Sequence, residues 1–244
     1  MAHVIFIHGA WHGGWCFDPL RPMLEAAGHT MEAPDLPGMG GSDAELASTT
    51  LAGWADYVAD LVQAHAAPVV LAGHSRGGIV ISEVAERVPE RVAALVYICA
   101  MLIPSGASRA DLKTLFGPNP AFDAIIQPQA SGHATIINPA GAAEVFAQLS
   151  PPDLVLAAAK RLVAEPNAPR RTPLALTEAR FGSVPRHYIE CLHDRTIPIN
   201  DQRAMQAMQP CTSVTALEAD HSPFFSAPRA LADALIAIAT GETT

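Results

Sequence analysis

One serine lies in a pattern that is typical of an activated nucleophile. The string Gly73-His74-Ser75-Arg76-Gly77 has the form G-x-S-x-G and stands between two apolar runs. This pattern is typical of a sharp strand-to-helix turn that leaves the serine hydroxyl exposed. Small residues at both glycine positions fit the crowding that such a turn produces. We therefore predict that Ser75 is a nucleophile; the alternative is a glycine-rich helix start packed closely on a sheet.

A serine hydroxyl needs a general base, and one of the ten histidines stands out. His221 directly follows the last run that resembles a strand, and Asp194 follows the run before it. Asp194 can therefore orient the imidazole of His221. Asp220 is awkwardly placed to orient its neighbour, so we interpret it as a hydrogen-bond acceptor within the loop, and Asp35 is a poorer candidate. The prediction is a triad of Ser75, His221 and Asp194.

Acyl transfer also needs backbone N–H groups that hold a developing oxyanion. Arg76 directly follows the nucleophile, and the loop after the first predicted strand contains Ala10; we predict that these two amides form the oxyanion hole. His8 is expected to stabilise that loop, and the His74 side chain to point away from the serine hydroxyl. The glycines of the loop are not followed by the Lys-Ser/Thr of a phosphate-binding loop, and the glycines at 38–41 do not match a dinucleotide-binding pattern. No spacing resembles a metal site, so we expect no metal and no cofactor.

Alternating apolar runs indicate which elements position these residues. Short β-branched runs alternate with longer amphipathic runs, which predicts an α/β fold with a mostly parallel six-stranded sheet flanked by helices. In such a sheet, ligands bind beyond the carboxyl ends of the strands, where Ser75, Asp194 and His221 all fall. The predicted strands are 4–8, 29–36, 68–73, 92–100, 187–191 and 214–219, and the main predicted helices are 51–65, 77–88, 201–208 and 227–239.

The alternation of short apolar runs and longer amphipathic runs stops between residues 103 and 183. Prolines cluster in this segment, and no good strand is recognisable there. Short helices at 152–164 and 174–180 fit this segment better. We predict a helical cap at 103–183, inserted into a core formed by 1–102 and 184–244. Apolar side chains are expected to line a pocket that suits hydrophobic or aromatic esters. They are Trp11, Met101, Leu102, Phe116, Phe122, Phe146, Phe224 and Phe225.

Composition excludes several other classes of protein. Of the 244 residues, 50% are apolar, which favours one large folded unit over disorder. The net charge of −9, without a basic run, argues against nucleic acid and anionic membranes as partners. Four widely spaced cysteines favour free thiols in a reducing compartment. We expect a cytoplasmic protein whose partner is a small-molecule ester, and the sequence leaves a homodimer open.

Taken together, the motifs resemble the α/β-hydrolase superfamily over nearly the whole chain, and their order of serine, aspartate and histidine is the one found there. More narrowly, the chain resembles the group of plant salicylate-type methylesterases, plant hydroxynitrile lyases and bacterial pyrethroid-type carboxylesterases. The resemblance implies the fold of that group, with its triad at Ser75, Asp194 and His221 and its oxyanion donors at Ala10 and Arg76. The strings that carry it are His8-Gly9-Ala10-Trp11-His12-Gly13-Gly14-Trp15, Gly73-His74-Ser75, Arg180-Phe181-Gly182-Ser183-Val184, Tyr188-Ile189-Glu190, Ile197-Pro198 and Ala219-Asp220-His221.

Two positions separate the esterases of this group from its lyases. The lyases have threonine in place of Ala10 and lysine in place of Ser222, so the resemblance implies ester hydrolysis. The expected apolar pocket separately implies broad specificity, because it discriminates weakly between similar apolar groups. Lyase-like or perhydrolase activity on the same triad, and a ligand-binding receptor on a hydrolase scaffold, stay open as alternatives. Arg76 occupies a position that is commonly apolar in the group. Because a cation in the first turn of a helix opposes the macrodipole, we expect a carboxylate partner or a raised positive potential near the oxyanion.

Overall fold

Nine strands form two sheets in the computed structural model, which describes residues 1–242. In chain order they are β1 (His3–Ile7), β2 (Thr30–Glu32), β3 (Val69–His74), β4 (Val92–Ile98), β5 (Ile126–Pro128), β6 (Ala134–Ile137), β7 (Glu165–Pro166), β8 (Arg186–Cys191) and β9 (Ser213–Leu217). The larger sheet has the order β2-β1-β3-β4-β8-β9, and all its neighbouring strands are parallel. The predicted α/β fold with a six-stranded parallel sheet is confirmed.

Helices connect the strands and cover both faces of the larger sheet. In chain order they are α1 (Arg21–Ala26), α2 (Asp43–Ser48), α3 (Leu51–Ala64), α4 (Gly77–Arg87), α5 (Leu112–Phe116), α6 (Pro120–Ile125), α7 (Pro139–Phe146), α8 (Pro152–Ala159), α9 (Asn167–Arg171), α10 (Ile199–Met208), α11 (Pro223–Ser226) and α12 (Pro228–Thr240). Short 3-10 turns lie at Gly14–Leu20, Pro89–Arg91, Arg109–Asp111 and Phe181–Ser183.

The sequence of β1 shows why the sheet is covered on both sides. Successive side chains of a strand point to opposite faces, so a strand buried on both faces is apolar throughout. Ile5 and Ile7 belong to the buried cluster that contains the apolar face of α3 and α4. Val4 and Phe6 belong to a second cluster with the apolar face of α12. The sheet therefore separates two cores.

The segment 103–183 departs from the prediction in two ways. It contains a three-stranded antiparallel sheet, β5-β6-β7, so the expectation that it has no strand was wrong. These strands are two to four residues long, which is too short to show a period in the sequence. The expected helix at 174–180 is also wrong, since this stretch is irregular, and the helix expected at 152–164 ends at Ala159. The division of the chain into core and cap stays a prediction.

A third buried cluster lies over the carboxyl ends of β1 and β3 and joins Trp11 to side chains of α6 and α7. The strand predicted at 29–36 is shortened to β2, at the edge of the larger sheet.

No helix within residues 1–242 combines the length and the apolar character needed to cross a bilayer. The cytoplasmic location and the homodimer stay predictions.

Strand order explains where the site lies. β1 and β3 are neighbours at the centre of the sheet, whereas β2 follows β1 outward on one side and β4 follows β3 outward on the other. The connections that leave the carboxyl ends of β1 and β3 therefore diverge and open a crevice between them. The loop with Ala10 follows β1 and Ser75 follows β3, so both lie at this crevice.

Candidate active site

The turn between β3 and α4 holds Ser75 in a strained conformation. Its φ is +53°, in the left-handed region that residues with a side chain seldom adopt. The neighbouring glycines are required by close backbone contacts. A Cβ on Gly73 would lie 2.8 Å from the Gly77 carbonyl carbon, and a Cβ on Gly77 would lie 2.3 Å from the Ile7 carbonyl oxygen. The strain is therefore maintained by the packing of α4 against β1, and it turns the hydroxyl toward the crevice.

The three side chains of the predicted triad meet at this turn. The Nε2 atom of His221 is 2.9 Å from Ser75 Oγ, and its Nδ1 atom is 2.7 Å from Asp194 Oδ2. All three residues are buried. The other carboxylate oxygen of Asp194 accepts the amides of Thr196 and Ile197, at 2.7 and 2.8 Å. These bonds fix the carboxylate so that it can orient the imidazole and stabilise its protonated form.

Asp220 has the structural role that its place beside His221 suggested. It is fully buried, and its Oδ1 atom accepts the Ser222 amide at 2.9 Å and the Ser226 hydroxyl at 2.8 Å. Its Oδ2 atom accepts the amide of Leu149 and the hydroxyl of Ser150. Asp220 thus joins the loop that carries the imidazole to the segment between α7 and α8.

The backbone amides of Ala10 and Arg76 border the crevice beside Ser75. Within residues 1–242 neither amide donates a hydrogen bond to a protein acceptor. His8 stabilises the loop as expected: its Nδ1–H donates to the Gly9 carbonyl at 2.8 Å, and its Nε2 accepts the Leu36 amide at 3.1 Å. Burial is the main cause that lowers the pKa of His8 to about 3, so its imidazole is neutral and keeps this tautomer.

Two further side chains hold the same loop. The Nδ1–H of His12 donates to the Ala10 carbonyl at 2.7 Å, and burial lowers the pKa of His12 to about 4. Asp35 accepts the Gly14 amide at 2.7 Å, which gives this carboxylate a structural role away from the imidazole of His221. The loop that offers the Ala10 amide is therefore fixed from both ends.

His74 points away from the serine hydroxyl, as predicted, and supports the loop of His221 instead. Its Nε2–H donates to the His221 carbonyl at 2.7 Å, and its ring packs edge-on against Phe224. Burial is the first cause that holds the pKa of His74 well below its usual value. A neutral imidazole in this position keeps a second positive charge away from His221.

The carboxylate partner expected for Arg76 is Glu165, which belongs to β7. Arg76 Nε is 2.9 Å from Glu165 Oε1, and Arg76 Nη2 donates to the Gly9 carbonyl at 3.1 Å. Both charged side chains are only 1% exposed, and the guanidinium lies 4.3 Å from the ring centroid of Trp54. Glu165 also accepts the amide of Trp11, at 3.3 Å. The expectation is confirmed, although the sequence could not identify the partner because the two residues are 89 positions apart.

Comparisons with known proteins show the family of the chain. The family model described as "Alpha/beta hydrolase family" matches residues 4–234. The chain belongs to the alpha/beta hydrolase family. Its sequence is 35% identical over 240 residues to a pyrethroid hydrolase of Sphingobium wenxiniae, covering 95% of this chain and 85% of that protein. It is 34% identical over 256 residues to esterase PIR7B of Oryza sativa subsp. japonica, covering 97% and 95%.

A solved structure extends the likeness to three dimensions. The crystal structure of a pyrethroid hydrolase from Sphingobium faniae JZ-2 superposes with a TM-score of 0.88 at 33% identity, covering 98% of this chain and 97% of that one. These relatives are named hydrolases and esterases, which indicates that this alpha/beta hydrolase is an enzyme of the serine carboxylesterase type.

The cavity next to the nucleophile of this alpha/beta hydrolase differs from the apolar pocket that we expected. Trp11, Met101 and Phe122 line it, as predicted, but so do three arginines and one glutamate. The full lining is Ala10, Trp11, Ser75, Arg76, Met101, Arg109, Phe122, Glu165, Arg170 and Thr196. The sequence did not identify Arg109, Glu165 and Arg170 as site residues. Their charge was their only distinguishing feature, and only apolar residues of this segment were predicted to line the pocket.

The other predicted pocket residues divide into two groups. Phe116 lines an outer cavity that shares Met101, Arg109, Phe122 and Thr196 with the first. Phe146 and Phe225 line a separate apolar cavity. Leu102 and Phe224 instead pack in the two main cores and are fully buried, so nothing in their placement supports a role in substrate binding.

In the part of the chain that the structure describes, two clusters each bring three metal-ligating atoms within 4.8 Å of one another. One consists of His74, Cys99 and His221, whose imidazoles already serve the hydrogen bonds described above. The other consists of His3, Glu32 and His65 at the edge of the sheet, where the carboxylate lies 4.0 and 3.5 Å from the two Nε2 atoms. Their spacing in the sequence resembles no known metal motif, so only the fold brings these ligands together.

Proposed function

We propose that this protein hydrolyses carboxylic esters through an acyl-enzyme on Ser75, with His221 as general base and Asp194 as the group that orients it. The observation that carries the proposal is the continuous path of two short hydrogen bonds, 2.9 Å from Ser75 to His221 and 2.7 Å from His221 to Asp194. A nucleophile, a base and an orienting carboxylate within this reach are the requirements of acyl transfer.

The first half-reaction transfers the acyl group to the enzyme. His221 Nε2 takes the proton of the Ser75 hydroxyl as Oγ attacks the ester carbonyl carbon. The carbonyl oxygen becomes an oxyanion that the Ala10 and Arg76 amides hold. His221 then gives its proton to the alcohol oxygen, the bond between that oxygen and the carbonyl carbon breaks, and the alcohol leaves.

The second half-reaction returns the enzyme to its resting state. A water molecule gives a proton to His221 Nε2 and attacks the acyl carbon, and the same two amides hold the second oxyanion. The bond to Ser75 Oγ breaks as His221 returns the proton to the serine, and the carboxylic acid leaves. Asp194 keeps its charge throughout and stabilises the imidazolium.

We propose esters with hydrophobic or aromatic groups as substrates, accepted with broad specificity. Phe146 supports this choice, since its ring centroid lies 6.0 Å from that of His221 and it also lines an apolar cavity. The small side chains of that cavity discriminate weakly between chain lengths, because one methylene group contributes only about 1–3 kcal/mol. Its alanines are Ala142, Ala143, Ala147, Ala158 and Ala159.

A panel of 4-nitrophenyl and methyl esters tests the proposal. We expect steady turnover by the parent protein and a loss of at least about 10⁴-fold in kcat for Ser75→Ala, because the triad acts as a unit. Ser48→Ala, at an exposed serine of α2, is the matched control and keeps full activity.

Three results would contradict ester hydrolysis at this triad. Unchanged turnover in Ser75→Ala would exclude this serine as the nucleophile. A burst of alcohol without steady turnover would favour a ligand-binding receptor. Release of cyanide from cyanohydrins without ester hydrolysis would favour a lyase.

A further inference from the structure

The cavity over Ser75 carries excess positive charge. Its lining contains Arg76, Arg109 and Arg170 against the single carboxylate of Glu165, which gives +3 − 1 = +2. A buried or half-buried cavity with uncompensated charge is unfavourable unless an opposite charge enters it. The excess positive charge therefore favours a ligand that brings a negative charge into the cavity.

Glu165 is the one carboxylate in this lining, and at contact distance it is already engaged with Arg76 rather than with the other two arginines. Both of its oxygens contact Arg76, at 2.9 and 3.4 Å, and one of them also accepts the Trp11 amide. Arg76 is in turn held by the Gly9 carbonyl and the ring of Trp54. The charges of Arg76 and Glu165 offset each other, and the remaining positive charge of the lining belongs to Arg109 and Arg170.

At contact distance the described residues offer those two guanidinium groups neutral partners, whereas the carboxylate of Glu165 acts on both at longer range. Arg109 Cζ lies 5.5 Å from the ring centroid of Phe122, and Arg170 Nη1 donates to the Thr135 hydroxyl at 3.1 Å. Among the side chains that the structure describes, neither guanidinium forms an ion pair with a carboxylate. Several of their N–H groups are therefore available to a ligand.

The two cations also lie close enough to repel each other. Burial is the main cause that lowers the pKa of Arg109 to about 10, and the charge of Arg170 is the next cause. Both groups stay protonated at neutral pH. A carboxylate between them would accept charge-assisted hydrogen bonds from both and relieve the repulsion.

Acidic side chains mark the opposite end of the site. Asp123 and Asp201 line the outer cavity, which Arg109 borders and Arg170 does not. An anion placed there would be repelled by the carboxylate of Asp201. The favourable position for an anion is the inner cavity, between the two arginines and beside the nucleophile.

We propose that Arg109 and Arg170 bind a carboxylate group of the substrate itself, so that the preferred substrates are anionic esters. This inference rests on the proposed ester hydrolysis and narrows it to esters with an apolar body and a carboxylate near the scissile bond. The carboxylate can belong to the acyl group or to the alcohol, and the substrates of the test distinguish the two sources.

Two matched pairs of substrates measure the preference. On the acyl side, mono-4-nitrophenyl glutarate is compared with 4-nitrophenyl 5-methylhexanoate, which has the same size and leaving group but no charge. On the alcohol side, 4-carboxyphenyl acetate is compared with 4-isopropylphenyl acetate. The quantity compared is the ratio of kcat/KM for the anionic ester to that for its neutral match, after subtraction of the uncatalysed rate.

We expect a ratio of at least about 10 for one pair, because a charge-assisted hydrogen bond discriminates by about this factor. Arg109→Gln and Arg170→Gln each lower that ratio about tenfold, mainly through KM for the anionic ester. In Arg109→Lys and Arg170→Lys the positive charge is kept, so we expect a higher ratio than in the glutamine variants. These lysine variants test the proposal if the glutamine variants fail to fold. Arg229→Gln, at an exposed arginine of α12, is the control and leaves the ratio unchanged.

The inference is overturned if both neutral esters are hydrolysed as well as their anionic matches, or if neither arginine affects the ratio. The experiment distinguishes failure of this inference from failure of the proposed ester hydrolysis. Neutral esters turned over by the parent protein and not by Ser75→Ala, without any preference for charge, would leave ester hydrolysis intact and remove only the anion site.

Discussion

At the scale of single residues, the Arg76–Glu165 pair shows how a charge can be accommodated beside a nucleophile. Transfer of a guanidinium from water into the protein is costly, and the cost is offset only when a carboxylate and further acceptors surround it. Here the carboxylate, the Gly9 carbonyl and the ring of Trp54 do so. The pair joins the nucleophile turn to β7, so it stabilises the site rather than the fold alone.

Removing one charge of this pair is expected to be worse than removing both. Glu165→Gln keeps an acceptor for the Trp11 amide but leaves the guanidinium buried and unpaired, so we expect a loss of about 3–5 kcal/mol in the free energy of unfolding. The double variant Arg76→Met, Glu165→Gln loses less than Glu165→Gln alone. Urea unfolding of the two variants and the parent measures the difference.

The exposed pair of Arg229 and Asp233 is the control for these variants, because exposed ion pairs contribute little. Asp233→Asn should unfold like the parent protein. Equal losses in the single and the double variant would show that the two charges are independent of each other.

At the scale of elements, the turn from β3 into α4 depends on backbone contacts that admit no side chain. The start of α4 packs on the carbonyl of Ile7 at the end of β1, and a Cβ on Gly78 would lie 2.5 Å from the Met101 carbonyl oxygen. Interiors are close-packed, so a single methyl group at such a contact displaces a whole element. The position of Ser75 and the Arg76 amide depends on this packing.

Gly77→Ala is therefore expected to lower kcat/KM at least about 100-fold, because a misplacement of about 1 Å in a catalytic group has this effect. Gly53→Ala in α3 is the matched control: the nearest atom to its added Cβ is the Thr50 hydroxyl at 3.2 Å, and the exposed position tolerates alanine. Ester hydrolysis and urea unfolding are measured for both. An active Gly77→Ala protein would contradict the role that we assign to this contact.

At the scale of the whole molecule, buried neutral histidines determine how the protein responds to acid. His8 and His12 hold the loop after β1, and burial lowers their pKa values to about 3 and 4. In the unfolded chain the pKa of histidine is about 6.5. Below that pH the unfolded state binds protons that the folded state does not, so acid favours unfolding.

The free energy of unfolding should fall as the pH drops from 7 to 5, with each of these histidines contributing up to about 1.4 kcal/mol per pH unit. Carboxylates are largely ionised in both states over this range. Urea unfolding at pH 7, 6 and 5 measures the slope. His12→Gln should have a shallower slope than the parent, whereas exposed His133→Gln keeps it, and a slope unaffected by His12→Gln would contradict this account.

The sequence was sufficient to predict that Ser75, Asp194 and His221 lie together, for a physical reason. Ser75, Asp194 and His221 each follow an apolar run, and the carboxyl ends of parallel strands meet at one edge of a sheet. Local patterns therefore placed these distant residues together. The same reasoning predicted the inner strands β1, β3 and β4, because a strand buried on both faces is a nearly unbroken apolar run.

The segment over the site could not be predicted in the same way. Its strands are too short to show a period, and Arg109, Glu165 and Arg170 contact the site through pairings that no local pattern encodes. Leu102 and Phe224 show the converse error, since an apolar residue near the site in the sequence can equally fill the core.

The ion pair of Arg76 and Glu165 also limits the order in which substitutions can accumulate in this protein. A descendant that replaced the guanidinium first, or the carboxylate first, would pass through an unstable intermediate. The two residues of the pair are thus expected to be substituted together or not at all among its descendants. A search for new specificity by random mutagenesis should leave this pair alone and begin with the two cations that lack a carboxylate partner.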